Sequence, residues 1–239
     1  MAILIISHFS FISHKVEHNF EEKEVLKGID FTFEEGKIYG LLGRNGSGKT
    51  TFFNCLNHDI PFEEGTFTLV EQKENRPLEL EDIGYVLSTP NVPEFLTARE
   101  FLKFFLDIHQ DKIKEEKSID EYFEFMHIEK EDRDKLLKDY SYGMKNKMQM
   151  LVNMIADPNV LLLDEPLTSL DVVVAEEMKQ VLKSMKKNHI LIFSTHIMEL
   201  ALSLCDEIVL LHQGTLKEID RSHMSDQELR DKILEALTE

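Results

Sequence analysis

Residues 37–56 read Lys37-Ile38-Tyr39-Gly40-Leu41-Leu42-Gly43-Arg44-Asn45-Gly46-Ser47-Gly48-Lys49-Thr50-Thr51-Phe52-Phe53-Asn54-Cys55-Leu56. A short apolar run, a glycine-rich loop and a helix-compatible segment follow one another, and residues 43–50 satisfy the spacing G-x-x-x-x-G-K-[ST]. Physical chemistry dictates that spacing. Glycines let the backbone fold tightly, so that successive N–H groups point inward as an anion nest. Lys49 then reaches the β and γ phosphates of a bound nucleotide, and the Thr50 hydroxyl can ligate Mg²⁺. The helix that starts here adds the positive end of its dipole. The stretch implies a nucleoside triphosphate with Mg²⁺. The candidate contacts are Gly43, Arg44, Asn45, Gly46, Ser47, Gly48, Lys49, Thr50 and Thr51.

Outward from this loop, apolar runs at about 2–9, 27–33, 65–70 and 83–87 read as strands, with Glu63-Glu64-Gly65 as a turn signal. Between about 90 and 155 the character changes. Thr97 is an expected N-cap, with Glu100 three residues on completing a capping box, and Phe101, Leu102, Phe104, Phe105 and Ile108 recur at helical spacing. A Lys/Glu-rich stretch to about 139 reads as strongly helical with a solvated face. Strand-like Val160-Leu161-Leu162-Leu163 follows. Next come a helix at about 173–187, a strand at 190–194, a helix at 197–204, a strand at 207–212 and an amphipathic helix over Met224 to Leu237. Alternating apolar strands and helices imply an α/β fold, its mostly parallel sheet covered on both faces. The N-terminal strands and the helical block suggest two subdomains.

The 239 residues suffice for one large core, and a hydrophobic content of 42% is that of a globular protein. A net charge of −18 argues against a general nucleic-acid binder, which needs a basic footprint, and no Lys/Arg run stands out. Cys55 and Cys205 lie far apart without metal-like spacing and read as reduced core residues. No apolar stretch reaches the roughly 18–20 residues needed to span a bilayer. Ala2-Ile3-Leu4-Ile5-Ile6 lacks a basic region before it, so it reads as a first strand rather than a signal peptide. The expected location is cytoplasmic, with any membrane role coming through a partner.

Two further motifs carry chemistry. Val160 to Leu163 runs into Asp164-Glu165, a buried strand ending in two carboxyl groups. Asp164 at the strand end is placed to hold Mg²⁺, directly or through water, and Glu165 is free to orient and polarise an attacking water. Phe193-Ser194-Thr195-His196 ends another strand with a histidine, at the edge where open α/β sheets gather their ligands. An imidazole there can hydrogen-bond the γ-phosphate.

Taken in order, Gly43–Thr50 looks like a Walker A motif and Leu161–Glu165 like a Walker B with its catalytic glutamate. Ser169-Leu170-Asp171 resembles a D-loop, and Ser194-Thr195-His196 an H-loop. Tyr140-Ser141-Tyr142-Gly143-Met144-Lys145 resembles the signature usually written L-S-G-G-Q. The set, over about residues 2–220, is similar to the nucleotide-binding domain of ABC transporters. The resemblance implies a P-loop ATPase fold with an antiparallel N-terminal β-subdomain and an inserted helical subdomain at about 90–155. Residues 221–239 would form a short C-terminal helix. It further implies a dimer of two such subunits, identical or homologous, that sandwiches two ATP molecules. Each ATP would lie between the Walker motifs of one copy and Ser141 and Gly143 of the other. Phe20 sits where the family places an aromatic that stacks on adenine, and Asp171 would lie at the dimer interface. A separate integral membrane subunit would carry the transport path, with this chain peripheral on the cytoplasmic side.

Two positions depart from the pattern. Ser88 stands where the family usually has a glutamine that touches Mg²⁺ and water, and a serine is too short to span that distance unless the loop shifts or a water intervenes. Tyr142 replaces the first glycine of the signature, while Ser141 and Gly143 remain. A Y-S-x-G-M-K signature, with no regulatory domain after about residue 220, resembles the single-domain ATPases of bacterial exporters. The alternatives are a soluble ATPase of the same type outside transport, and a weakly hydrolysing regulatory partner in a heterodimer.

Overall fold

The computed structural model describes residues 1–17, 19–62, 64–110, 117–168, 170–221 and 224–238; of residues 14–17, 19–22, 226 and 238 it describes the backbone alone. In chain order the elements are β1 (Ile3–Glu17), β2 (Asn19–Glu34), β3 (Ile38–Leu42), α1 (Lys49–Leu56), β4 (Glu64–Glu71), β5 (Glu74–Pro77), β6 (Ile83–Val86), α2 (Ala98–Ile108), α3 (Ile119–Phe125), α4 (Tyr142–Ile155), β7 (Val160–Asp164), α5 (Val172–Met185), β8 (Ile190–Thr195), α6 (Met198–Leu204), β9 (Glu207–His212), β10 (Thr215–Ile219) and α7 (Asp226–Thr238). The strands form two sheets. One is antiparallel, in the order β2-β1-β4-β5; the other has the order β10-β9-β3-β8-β7-β6 and is parallel except for β10 at its edge. This is the α/β arrangement expected, with β5 and β10 as strands the apolar pattern did not reveal.

The central strands are buried on both faces, and successive side chains enter different cores. Leu161 and Leu163 of β7, Leu191 and Phe193 of β8, and Ile208 and Leu210 of β9 join the core built with the helices. Val160 and Leu162, Ile190 and Ile192, and Val209 and Leu211 join a second core shared with α1 and the antiparallel sheet. Strand side chains alternate with period two, so a slip of one residue would exchange the two sets and mismatch both cores. That locks where each strand ends, and the ends carry the chemistry.

The second core is rich in aromatic rings. Phe9 of β1 meets Phe52 of α1, Phe62 and Phe67 at centroid distances of 6.3, 5.2 and 4.8 Å. Phe52 and Phe53 are fully buried, so α1 is wedged between the two sheets and its first turn is held rigidly. β1 and β2 run well beyond the ranges read from the sequence as a long hairpin, because bulges between Ile6 and Ile12 break the alternation that marks a strand.

The capping box that starts α2 forms as expected. Thr97 accepts from the Glu100 N–H at 3.2 Å, and the Glu100 carboxylate accepts from the Thr97 N–H at 2.8 Å. Those donations from Thr97, the backbone one foremost, hold the Glu100 carboxyl below its usual range. The charged stretch that follows is not one helix among the described residues. After the seven-residue α3 the chain turns at His127 (φ 51°) and runs irregularly to a short 3₁₀ turn at Leu137–Asp139. Tertiary contacts override helical propensity here. Arg133 is buried, donates to Asp120 at 2.9 Å and to the Ile128 carbonyl at 3.2 Å, and lies over the Phe123 ring. Cys55 and Cys205 are buried and unpaired, and burial pushes the Cys55 thiol up to about 11.

If the double-sided burial of β7 locks its end, Leu162→Ala should cost about 2–5 kcal/mol of unfolding free energy, as for other fully buried leucines. Urea denaturation measures it, and a loss below about 1 kcal/mol would contradict the packing described.

Candidate active site

The parallel strands deliver their carboxyl ends to one edge of the sheet. Leu42 of β3 lies opposite Thr195 of β8, and Asp164 of β7 opposite Ser194. The loop after β3 is anchored there by the Gly43 N–H, which donates to the Thr195 carbonyl at 3.3 Å. Glycine is required at both ends of this loop. A Cβ on Gly43 would lie 2.6 Å from Ser47 Oγ and 2.8 Å from the Leu211 carbonyl oxygen. Gly48 caps α1 with φ +105°, a conformation that L side chains rarely adopt. The loop curls around the Lys49 ammonium, which donates to the Gly43 and Arg44 carbonyls at 2.9 and 3.4 Å and is only 7% exposed. The Ser47 hydroxyl oxygen is buried and makes no hydrogen bond among the described residues.

Two short networks join the loop to the strand ends. In the first, Thr50 Oγ1 donates to Asp164 Oδ2 at 2.9 Å and Ser194 Oγ donates to Asp164 Oδ1 at 2.6 Å. In the second, the Glu165 carboxylate lies 2.9 and 3.0 Å from His196 Nδ1, 3.7 Å from Lys49 Nζ, and accepts from Thr168 Oγ1 at 2.7 Å. Glu165 reaches this place through a left-handed backbone (φ 50°), which costs a non-glycine residue about 1–3 kcal/mol. Its N–H is held by both the Ser194 hydroxyl at 3.1 Å and the Ser194 carbonyl at 3.3 Å. Consecutive carboxyl groups are thus sent to different partners across one cleft.

That cleft has a volume of about 530 Å³. Asn45, Gly46, Gly48, Lys49, Thr50 and Thr51 line its loop side, Asp164, Glu165 and Ser88 its far side, and Ser13, Lys23 and Val25 of the hairpin its roof. Among the described residues no group of three or more His, Cys, Asp and Glu is placed to hold a metal ion. Mg²⁺ does not need one. It accepts one or two protein oxygens and completes its shell with waters and substrate phosphates, and the adjacent Thr50 and Asp164 oxygens fit that demand.

Other residues singled out from the sequence lie elsewhere. Ser141 is the N-cap of α4, accepting from the Met144 N–H at 3.2 Å, with Gly143 in the first turn. Asp171 caps α5, accepting from Val173 and Val174 N–H at 3.0 Å. None of the three lines the cleft. The Phe20 side chain and Ser169 lie outside the described residues; the Phe20 backbone belongs to β2. Sequence reasoning missed Ser194 and Thr168 as individual partners of the carboxyl groups. Ser194 was signalled as the polar residue that interrupts the apolar run Ile190–Phe193; Thr168 carried no signal.

A strand–loop–helix phosphate cradle facing two carboxyl groups and a histidine defines a P-loop nucleoside triphosphatase. The ABC transporter family model matches residues 26–168, and the chain belongs to this family of ATP-binding, ATPase subunits. It is 30% identical over 217 residues to the uncharacterized ABC transporter ATP-binding protein YdbJ of Bacillus subtilis, covering 89% of this chain and 70% of that one. With the bacitracin transport ATP-binding protein BcrA of Enterococcus faecalis it shares 29% identity over 250 residues, 98% of this chain and 80% of that one. A dimeric, ADP- and Pi-bound structure of the ATP-binding cassette MJ0796 shares the fold, with a TM-score of 0.75 at 20% identity over 92% of this chain and all of that one. No helix among the described residues is long and apolar enough to cross a membrane.

Ser194 is fully buried and serves both carboxyl-bearing residues. Hydrogen bonds to charged groups are worth about 1.5–3 kcal/mol, so Ser194→Ala should lower the ATPase rate by about ten- to a hundredfold while the circular dichroism spectrum stays unchanged. An unchanged rate would mean that the Ser194 bonds do not orient the carboxyl groups.

Proposed function

We propose that this chain is the ATP-hydrolysing subunit of a membrane transporter, working as a dimer of cassettes that closes on ATP and reopens after hydrolysis. The observation that carries the reading is the Glu165 carboxylate, held between His196 and Lys49 on the wall of the phosphate cleft. When nucleotide enters, Lys49 exchanges its contact with Glu165 for the β and γ phosphates, and the loop N–H groups take up the remaining charge. Glu165 then accepts a proton from water as its oxygen attacks the γ-phosphorus and the bond to ADP breaks. His196 keeps Glu165 oriented through Nδ1, leaving the Nε2 edge of its ring for the γ-phosphate. Thr50 and Asp164 would hold Mg²⁺, which supplies charge neutralisation at the phosphates when bound.

Ser141 and Gly143 are assigned to a second copy's nucleotide. A Cβ on Gly143 would meet only ordinary contacts, Val174 at 3.4 Å and Leu170 at 3.5 Å, so its own chain does not demand glycine there. Glycine in a helix costs about 1 kcal/mol relative to alanine, which points to close approach by something outside the chain. Phosphate approaching the first turn of α4 is such a demand. The MJ0796 cassette, which shares the fold and is dimeric, supports a pairing of two cassettes. Asp171, the N-cap of α5, is assigned to the junction between the copies. We assign residues 1–220 to the ATP-binding domain with the helical subdomain at 90–155 inserted, and 221–239 to a short C-terminal helix. The family, and a relative named as a bacitracin transport ATP-binding protein, support a membrane partner and a peripheral place on the cytoplasmic side. The export direction rests on the form of the signature.

Lys49→Ala should weaken ATP binding at least about tenfold, measured by calorimetry, since it removes a charge-assisted contact with phosphate. Unaltered binding would sink the cradle assignment. Tagged chain drawn from gently solubilised native membranes should bring down a stoichiometric integral membrane protein; a ribosome or a purely soluble partner would overturn the transport claim.

A further inference from the structure

The two positions that depart from the family pattern meet in space. Ser88 borders the cleft beside Thr50 and Asp164, and its main-chain carbonyl accepts a hydrogen bond from the Tyr142 hydroxyl. Tyr142 is the first residue of α4, flanked by Ser141 and Gly143. Further along the same helix, Gln149 donates to the Leu87 carbonyl at 3.0 Å and accepts from the Asn91 N–H at 3.1 Å. Lys145 pairs with Glu94 at 2.5 Å. Positions 142, 145 and 149 are spaced three and four apart and share one helix face. The loop after β6 is therefore strapped along one face of α4, with a buried anchor at Gln149 and a half-exposed end at Tyr142 beside the cleft.

We propose that Tyr142 is a positioning residue that couples the nucleotide cleft to the first turn of α4 through the Ser88 carbonyl. The buried Gln149 already fastens the loop to the helix, so the Tyr142 bond is not needed to hold the fold together. Its distinctive property is its place, spanning from the cleft wall to the turn that carries Ser141 and Gly143. A displacement of Ser88 by incoming phosphate and cation is passed to the hydroxyl and from there to the residues on either side of it. The contact uses the main chain of residue 88, so it does not depend on a long side chain there. This inference rests on the nucleotide reading of the cleft.

The test compares the full chain with Tyr142→Phe, which deletes the hydroxyl and keeps the ring. ATP affinity, steady-state ATPase kinetics and hydrogen exchange with and without a non-hydrolysable ATP analogue plus Mg²⁺ are measured on both. The expected result is an ATP affinity within about twofold of the parent and a kcat lower by about three- to tenfold, the worth of one neutral hydrogen bond. The nucleotide-induced protection of residues 141–147 should be lost, while the analogue still protects residues 44–51. Unchanged kcat and unchanged protection at 141–147 would overturn the inference. So would a parallel loss of affinity, kcat and thermal stability, the mark of a merely structural bond. If the parent chain binds no nucleotide, the reading of the cleft fails first, and the coupling falls with it.

Discussion

Asp164 is buried at the end of β7, and a buried carboxyl group must find donors or forfeit several kcal/mol. Its two donors come from different elements, Thr50 on the first turn of α1 and Ser194 on β8. This one group therefore ties together the phosphate loop, the strand that carries Glu165 and the strand that carries His196. The geometry tolerates little drift, because the strands on which it depends are locked by side chains divided between two cores. Glu165, next in the chain, is turned away from Asp164 by a left-handed backbone and ends against Lys49 and His196. A single buried side chain thus sets the spacing of a cleft lined by a cation and two carboxylates, one of which is held by the His196 imidazole.

The parts of this arrangement that rest on local chemistry were legible in the sequence. β3, β7 and β8 are continuous apolar runs, as parallel strands buried on both faces must be, and the glycine loop follows from phosphate geometry. The capping box at Thr97 and Glu100 was legible because both partners sit three residues apart. What lay hidden depends on distant contacts. The irregular course after α3 is held by Arg133 against Asp120 and Phe123, which composition alone reads as a solvated helix. The hairpin of β1 and β2 exceeds its apolar signal because its bulges shift the register. Ser194 as the hinge between two carboxyl groups appears only when β7 and β8 are set side by side.

Ser88 and Tyr142 teach the same lesson more sharply. Read along the chain they are two unrelated departures, the first too short for its expected contact and the second too large for its expected turn. In the fold the tyrosine hydroxyl reaches the serine's main chain, so one departure is spatially answered by the other. Lys145 and Gln149 extend the attachment along the same helix face. The helix whose first turn is assigned to a second copy's nucleotide is therefore joined, within its own chain, to the wall of its own cleft.

The most direct test of the account is the turnover and assembly state of Glu165→Gln with Mg²⁺ and ATP, followed by light scattering beside a phosphate-release assay. Glutamine keeps the size and most of the packing of Glu165 but cannot take the proton, so the account predicts turnover reduced by about a hundredfold or more and a stable ATP-dependent dimer. Wild-type turnover in this variant, with the chain monomeric at saturating ATP, would contradict both the role of Glu165 and the closure of the dimer on nucleotide.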